Sequence, residues 1–346
     1  TSGAGADPAG GERAPAIGVE ADFGIAGRTA QWAAIGNATL SRDGQQAKVS
    51  FDGRGDGEAM DLKALRATMP TGTLDASGRV GWTPALQWKI DATLAGFDPG
   101  YFARDWKGAV DGALASTGGT GGAGGLEVDV DASKLGGTLR GRRLDGKARF
   151  AMHGPASGQT RSDFDGEIAL RMGDSRIDAK GSVSDRLDIE ATLAPLQLDD
   201  LLPNADGRLQ GRMRVTGGRT TPDIEADLTG SALRYDDYRV ASLSAKGRLP
   251  WQRGDGTLAV QARGIEAGVV LDEVNIDAVG AVEHLRLDAQ ARGDIGTLAL
   301  AASAESRNGN WRGTLSSLRL APVKGAAWQL APPGNDAQNR GRRGVL

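Results

Sequence analysis

Apolar and polar residues alternate along most of this chain. Between residues 86 and 94 the apolar side chains fall at Leu86, Trp88, Ile90 and Leu94, and polar residues lie between most of them. A period of two places the apolar side chains on one face of an extended strand and the polar side chains on the other. No long segment shows the i, i+3, i+4 apolar spacing of an amphipathic helix. The pattern therefore predicts a protein that is nearly all β.

The same alternation recurs along the chain, and short turn signals separate its occurrences. Asp-Gly pairs such as those at residues 52–53, 145–146 and 206–207 supply the positive φ angles of tight hairpin turns. Strands joined in this way predict an antiparallel meander. Two segments, residues 98–106 and 199–206, interrupt it, and each is predicted to form one short helical turn or a corner.

The interruptions belong to an internal repeat. Gly108, Gly112 and Gly118 match Gly207, Gly211 and Gly217 at an offset of 99 positions, and residues 74–78 match residues 177–181 at an offset of 103. Repeats of this kind are typical of arrays of structural units. We therefore expect a function carried by a long shared surface and not by one catalytic cleft.

Composition narrows the class of protein. The 346 residues carry a formal net charge of −3, which gives no bulk attraction to nucleic acid, and cysteine is absent. There is no apolar run long enough for a membrane helix and no signal-peptide pattern, so the chain is interpreted as a fragment.

The predicted organisation is a disordered or linker segment (1–16), a β repeat unit (17–117), a Gly-rich loop (118–125), two further β repeat units (126–218 and 219–332) and a disordered tail (333–346).

Candidate catalytic and cofactor motifs are weak. His153 and His284 have no partner at metal-ligand spacing. Residues 119–124 fit GxGxxG and residues 141–147 have the spacing of a phosphate-binding loop, but a strand and not a helix is predicted after each. The three Arg-Gly-Asp triplets coincide with predicted turns. No enzyme activity, cofactor or metal is therefore predicted.

The apolar face needs a cover. A face of this length must meet a second sheet, close into a barrel, or curl around something apolar, because an uncovered patch of this size is not tolerated on a soluble monomer. Alternation alone leaves these three possibilities open.

A family resemblance favours the last of them. Residues 198–203 (LDDLLP), followed by residues 206–211 (DGRLQG), resemble a segment of the AsmA-like superfamily and, within it, of the TamB family, the translocation and assembly module subunits. Further similar stretches, in the same order along the chain, cover about residues 60 to 332; they are residues 230–235, 243–249, 284–289, 311–315 and 328–332.

The resemblance implies an elongated, repetitive antiparallel sheet curled into a β-taco, a trough with an apolar groove. It implies a periplasmic protein that is anchored to the inner membrane, with the anchor absent from this chain. It also implies phospholipid transport between the inner and outer membranes and a role in autotransporter assembly. The implied partners are phospholipid acyl chains and an outer-membrane barrel (TamA-like) that is contacted through a region missing here.

On this interpretation, one set of apolar strand residues lines a lipid groove: Leu86, Trp88, Ile90, Leu94, Leu187, Ile189, Leu193, Ile224, Leu228, Leu285 and Leu287. The ordinary alternative is that these side chains form the core of a sandwich or barrel. Two other functions stay open. One is a chaperone-like or scaffold surface that binds outer-membrane protein strands at its sheet edges, and the other is an adhesin that uses the Arg-Gly-Asp triplets.

Overall fold

The computed structural model describes residues 17–120, 125–155, 161–252, 254–307 and 310–330. These residues fold almost entirely as β-strands, and they form two compact units that divide between Ser162 and Asp163. The prediction of a nearly all-β antiparallel fold is confirmed. The residues predicted to be disordered ends, 1–16 and 333–346, lie outside the described residues, and the division into three repeat units stays a prediction.

The first unit is a nine-stranded antiparallel sheet in which each strand pairs with the next along the chain. The strands are β1 (Gly18–Arg28), β2 (Gln31–Arg42), β3 (Gln45–Gly55), β4 (Ala59–Thr68), β5 (Thr73–Gly81), β6 (Gln87–Phe97), β7 (Gly108–Thr120), β8 (Leu126–Leu139) and β9 (Arg142–His153). Two short 3₁₀ helices, Pro99–Tyr101 and Arg104–Trp106, connect β6 to β7.

The second unit repeats this plan with twelve strands, which also pair consecutively. They are β10 (Asp163–Met172), β11 (Ser175–Val183), β12 (Arg186–Gln197), β13 (Ala205–Gly218), β14 (Thr221–Tyr235), β15 (Tyr238–Leu249), β16 (Gly256–Glu266), β17 (Val270–Ala281), β18 (His284–Gly293), β19 (Gly296–Arg307), β20 (Asn310–Pro322) and β21 (Trp328–Gln329). The short helix α1 (Leu198–Leu201) connects β12 to β13.

The two predicted corners are confirmed, and each follows a break in strand pairing. The register between β6 and β7 shifts between Leu94 and Phe97, and the register between β12 and β13 shifts between Leu193 and Leu196. These positions are 99 residues apart, as in the sequence repeat. A bulge bends a strand and increases its twist, so each unit turns its chain at the same place before the corner.

The Gly-rich segment is only partly a loop. Strand β7 runs through Thr120, so Gly118 and Gly119 are strand residues. Residues 121–124, which contain most of the GxGxxG pattern, lie outside the described residues, and strand β8 follows directly after Gly125.

Within each unit the described strands belong to one sheet, and no pairing is seen between the two end strands of the described part of a unit. Fully buried hydrophobic residues are correspondingly few, and many are alanines. A cluster of buried side chains lies at the corner of the first unit, where Ala47, Met69 and Tyr101 pack with Leu40, Ala67 and Phe97. The main apolar surface of each unit is therefore a sheet face and not an enclosed core.

Candidate functional site

The predicted lining residues of the first unit occupy one face of β6. Trp88, Ile90 and Leu94 alternate along the strand and are half-buried, whereas Lys89, between them, is exposed. Leu86 differs, because it precedes the strand in the β5–β6 connection and is 38% exposed. The strand therefore contributes three of its four predicted residues to the face, and Leu86 lies at the end of that face.

In the second unit the strand register joins the predicted residues into rows. Ile189 of β12 and Ile224 of β14 lie opposite the same residue of β13, Val215. Leu193 and Leu228 likewise lie opposite Gly211. Directly opposed residues of antiparallel strands point to the same face, so these four side chains share one side of the sheet; Leu187, two residues before Ile189, shares it as well.

A longer row brings in the residues of β18. It runs through consecutive strand partners from β12 to β20: Ala191, Met213, Ala226, Gly247, Leu258, Ala278, Leu287, Ala302 and Leu315. Leu285 precedes Leu287 by two positions and points to the same side. We call this side the apolar face.

The burial of the apolar face distinguishes it from an ordinary core. The predicted lining residues of the second unit are all half-buried, none fully. In a sandwich or a filled barrel such side chains are packed from both sides and lose nearly all exposure. Here the described strands of the unit pair consecutively, and the side chains of this face keep part of their exposure.

In the first unit, glycines lie beneath aromatic rings on the face of the sheet that carries Trp88. The Trp88 ring lies against Gly118, the Phe51 ring against Gly36 and the Trp32 ring against Gly55, so that a Cβ at any of these glycines would collide with the ring. Trp88 Nε1 also donates a hydrogen bond to Ser116 Oγ (3.0 Å), which holds the indole along the sheet. Covering of strand glycines by aromatic rings restores packing that glycine cannot provide. The large side chains therefore lie along the sheet.

The opposite face is charged. One row across β11 to β15 reads Lys180, Glu190, Arg214, Glu225 and Arg248. Cross-strand ion pairs link this face, with the Lys180 Nζ to Glu190 Oε2 distance at 3.7 Å and the Arg214 to Asp188 distance at 3.6 Å. Exposed pairs of this kind stabilise little, but they identify the solvated face. The two faces of the sheet are chemically distinct, as the alternation predicts.

A buried tyrosine and a network of hydrogen bonds hold the corner of the first unit. Tyr101 is 4% exposed and donates its hydroxyl hydrogen bond to the Leu40 carbonyl (2.9 Å). The Arg42 guanidinium donates to the Tyr101 carbonyl. Asp98 Oδ1 accepts hydrogen bonds from the backbone amides of Gly100 and Gly108, both at 2.8 Å, and so fixes where the corner begins and ends.

The second corner is built with different chemistry at equivalent positions. Asp200, 99 positions after Tyr101, is 2% exposed and accepts a 2.6 Å hydrogen bond from Ser175 Oγ. Ser175 Oγ in turn accepts from the Gln197 amide (2.8 Å). Met172, 103 positions after Met69, is buried nearby at 1% exposure. The repeat offsets of 99 and 103 positions relate Asp200 to Tyr101 and Met172 to Met69. A carboxylate in a polar segment is usually interpreted as solvated, however, so sequence reasoning misses Asp200.

Two carboxyl groups of the first unit have lowered pKa values. A hydrogen bond from Arg104 lowers the pKa of Asp43, and the Arg104 Nη2 to Asp43 Oδ2 distance is 2.8 Å. The backbone amides of Glu58 and Ala59 lower the pKa of Asp56 by hydrogen bonding to Oδ1. Both groups sit at turns, where they hold connections between strands and not a reacting centre.

The weak chemical motifs fall on turns and strands. His153 and His284 are exposed strand residues. Residues 141–147 run from the β8–β9 turn into β9 and open no helix. Among the described residues no group of three or more His, Cys, Asp or Glu side chains is placed to hold a metal ion. Asp56, the acid of the first Arg-Gly-Asp triplet, caps its own turn.

Comparison with known proteins decides the family. A family model described as "TamB, N-terminal domain" matches residues 21–339, which is most of the chain. The chain belongs to the TamB family. Among curated TamB proteins, the translocation and assembly module subunit TamB of Haemophilus influenzae is 23% identical over 248 residues, which is 70% of this chain and 19% of that protein. The chain thus spans about a fifth of the length of this TamB relative. No solved structure matches it.

No helix among the described residues of this TamB-family chain is long and apolar enough to cross a membrane. The resemblance seen in the sequence is confirmed at the level of the family, and the apolar face is the feature of the chain that remains to be given a role.

Proposed function

We propose that the apolar face binds the acyl chains of phospholipids and conducts them through the periplasm between the inner and outer membranes. The observation that carries this proposal is the apolar face: rows that contain Leu, Ile and Val lie on one side of the sheet, and the predicted lining residues of the second unit are all half-buried. Shielding a chain from water is worth about 0.8 kcal/mol per CH₂, so such a face binds lipid tails without specific contacts.

The chemistry of the face suits passage better than fixed binding. Its rows mix large side chains with glycine and alanine, as in the row from Ala191 to Leu315, and among the residues that we assign to it no charged group interrupts the path. Twelve strands at roughly 4.8 Å spacing extend the second unit's face over about 50 Å. An uninterrupted apolar path allows a tail to slide without crossing a polar barrier.

The cellular setting of the proposal follows the family. We propose that the whole protein is anchored to the inner membrane, that these units lie in the periplasm, and that the protein works in a translocation and assembly module with an outer-membrane barrel partner. The name of the Haemophilus influenzae relative supports membership of such a module. No catalytic step is part of this function.

The test introduces one charge on either face of one strand. Leu287→Asp places a carboxylate on the apolar face of β18, and Gln290→Asp, three residues later, places the same charge on the exposed face of that strand. Native mass spectrometry of protein purified from a Gram-negative host should show co-purified phospholipid with the native chain and with Gln290→Asp, and much less with Leu287→Asp. Lipid retained equally by a folded Leu287→Asp variant would contradict the proposal.

One observation favours the second candidate function, strand binding at a sheet edge. All eleven residues of β1 are exposed, including Val19 (65%), Phe23 (74%) and Ile25 (67%). An exposed edge strand with an apolar side is a template for an added strand. Two competition assays distinguish the two functions. If the edge of β1 is the site, an extended outer-membrane-protein peptide should displace a bound fluorescent peptide. If the apolar face is the site, a lysophospholipid should displace a bound fluorescent lipid.

A further inference from the structure

The connections at one end of the second unit's strands expose apolar side chains, one connection after another. They follow β12, β14, β16, β18 and β20, and we call this series the apolar rim. Its exposed side chains are Leu202 (45%), Tyr235 (54%), Tyr238 (61%), Val269 (40%), Ile295 (57%) and Val323 (67%). Turns normally carry polar residues. Here four of the five connections contain an exposed apolar side chain, and the Asp236-Asp237 turn after β14 is flanked by the exposed strand-end residues Tyr235 and Tyr238. This series needs an explanation.

The opposite end of the same strands is different. Its described connections after β11, β13 and β15 expose polar or charged residues such as Asp185, Thr220, Gln252 and Asp255, and the two residues after β17, Val282 and Glu283, are half-buried. At the corresponding end of the first unit, three connections carry Asp43, Thr71 and Gly141, and one, between β6 and β7, exposes an apolar residue, Phe102 (49%), so a series is absent there. The apolar rim is therefore specific to one end of one unit.

Backbone hydrogen bonds tie neighbouring connections of the apolar rim together. The Asp236 amide donates to the Asn204 carbonyl (3.1 Å), the Asp294 amide to the Val270 carbonyl (3.1 Å) and the Val323 amide to the Ile295 carbonyl (3.2 Å). Arg239 and Glu266 form a 3.1 Å ion pair between the remaining neighbours. A surface held in place before binding loses little conformational entropy when a partner docks, so the apolar rim is preorganised.

The charge beside these side chains is negative. Asp236, Asp237 and Asp294 lie in the turns and are exposed, and no side-chain hydrogen bond or ion pair is seen for their carboxylates among the described residues. Lys324 is the one basic residue within the described connecting segments, and Arg234, Arg239 and Arg292 lie at the strand ends beside them. Arg234 and Arg239 form ion pairs with Asp206 (3.8 Å) and Glu266 (3.1 Å), so the three turn aspartates leave the balance negative. Anionic lipid headgroups would be repelled, and a partner that carries Lys or Arg beside its apolar residues would be attracted.

The spacing of the connections indicates the shape of the partner. Successive connections are separated by two strands, about 9.6 Å. Residues seven apart on one face of an α-helix are about 10.5 Å apart. In an extended strand, the separation that comes nearest to 9.6 Å is three residues, and side chains three residues apart point to opposite faces.

We propose that the apolar rim docks a basic amphipathic α-helix that lies across the strand ends. Apolar residues of the helix at heptad spacing would contact the successive apolar tips, and its flanking Lys or Arg side chains would face Asp236, Asp237 and Asp294. A helix in this position would lie along one lip of the apolar face and leave the face itself free.

Photo-crosslinking in the full-length protein in its host tests the partner. Benzoylphenylalanine at Tyr238 or Ile295 should crosslink to a protein segment, and mass spectrometry should identify it as rich in Lys or Arg with apolar residues every three or four positions. The same probe at Thr220 or Asp185, on the opposite end, should not. Adducts with lipid, adducts with a segment lacking that pattern, or no adducts at the apolar rim would overturn the proposal.

Binding of a defined probe tests the chemistry in the purified chain. The probe is a 28-residue helical peptide with Leu in a heptad stripe and Lys elsewhere, and its twin carries Glu in place of Lys. The triple variant Asp236→Lys, Asp237→Lys and Asp294→Lys should bind the Lys peptide about tenfold more weakly and the Glu twin more tightly. Asp185→Lys with Asp255→Lys is the matched control and should change neither affinity by as much.

Two further measurements distinguish this proposal from lipid conduction. The Lys peptide should still bind Leu287→Asp, because that substitution changes the apolar face and not the apolar rim. Peptide binding that is lost in Leu287→Asp and kept in the triple variant would place the peptide on the apolar face and overturn the proposal. Vesicles of phosphatidylglycerol that bind through Tyr238 and Ile295 would overturn it in favour of a membrane surface.

Discussion

Tyr101 and Asp200 occupy equivalent positions in the two units, and each is the buried side chain around which a corner closes. One donates a hydrogen bond to a carbonyl of β2, and the other accepts a hydrogen bond from a serine hydroxyl of β11. The 99-residue repeat therefore preserves a buried, hydrogen-bonded position but not the residue that fills it. The corners are stabilised by local chemistry that can be removed one group at a time.

Removing the Tyr101 hydroxyl should destabilise the first corner moderately. Tyr101→Phe leaves the Leu40 carbonyl without this donor and should lower the free energy of unfolding by about 1 kcal/mol, whereas Tyr101→Ala also leaves a cavity and should cost about 3–5 kcal/mol. Urea unfolding measures both. Tyr238→Phe, at an exposed tyrosine, is the control and should change stability by less than about 0.5 kcal/mol. Equal effects at Tyr101 and Tyr238 would contradict the role of the corner.

Removing the Asp200 carboxylate should be costly, although it is an acidic residue. Asp200→Ala leaves Ser175 Oγ, which is buried, without its 2.6 Å acceptor, and a buried group deprived of its partner costs about 1–3 kcal/mol. Asp237→Ala, in an exposed turn, should be close to neutral. Because Ser175 Oγ also accepts a hydrogen bond from the Gln197 amide, the double variant Asp200→Ala with Ser175→Ala should stay below wild-type stability. A double-mutant cycle measures the coupling of the two side chains, and additive effects would contradict the contact.

The ring of Phe51 and the glycine beneath it should be coupled. Gly36→Ala puts a methyl group where the Phe51 ring lies, and such overpacking costs about 1–3 kcal/mol. In Phe51→Leu the same Gly36→Ala change should cost less, and the difference in a double-mutant cycle measures the contact. Gly24→Ala is the control, because no atom lies within 4 Å of the position that its added methyl group would take. Additive effects at residues 36 and 51 would mean that the ring does not rest on the glycine.

The ion pair between Asp43 and Arg104 should make the first corner sensitive to acid. Arg104 lowers the pKa of Asp43 in the folded protein. The stabilising effect of the ion pair is therefore complete above the unfolded pKa of about 3.9, and it is lost as the pH falls through the lower folded pKa. Urea midpoints of the native chain and of Asp43→Asn should therefore differ at pH 7 and converge below about pH 4. A difference that persists at the lowest pH would exclude the carboxylate as its cause.

Much of the fold is predictable from the sequence because period-two alternation has one simple structural solution. Trp88, Ile90 and Leu94 share a face because side chains of a strand alternate, and the matching glycines mark the repeat. The alternation in the sequence includes Leu86, but β6 begins at Gln87, so Leu86 is not part of the strand. Strand ends depend on pairing with neighbours, and a single-sequence pattern does not contain that pairing.

The remaining features depend on which segments meet in space. The burial of Asp200 follows from contact with Ser175, 25 positions earlier. The apolar rim is likewise not recognisable in the sequence, because Tyr238, Ile295 and Val323 are far apart in the chain and lie in or directly beside separate turns. Only the strict up-and-down order of the strands brings those turns to the same end of the sheet.

That order also limits how such a chain can grow. In a meander, successive connections lie at alternate ends of the sheet. The insertion of a single strand would therefore move each later connection, with its side chains, to the opposite end. A strand inserted between β15 and β18 would therefore place Tyr238 and Ile295 at opposite ends of the sheet. Length can change without this inversion only by whole hairpins, in increments of about 10 Å, so the reach of the protein is expected to vary in discrete steps of two strands.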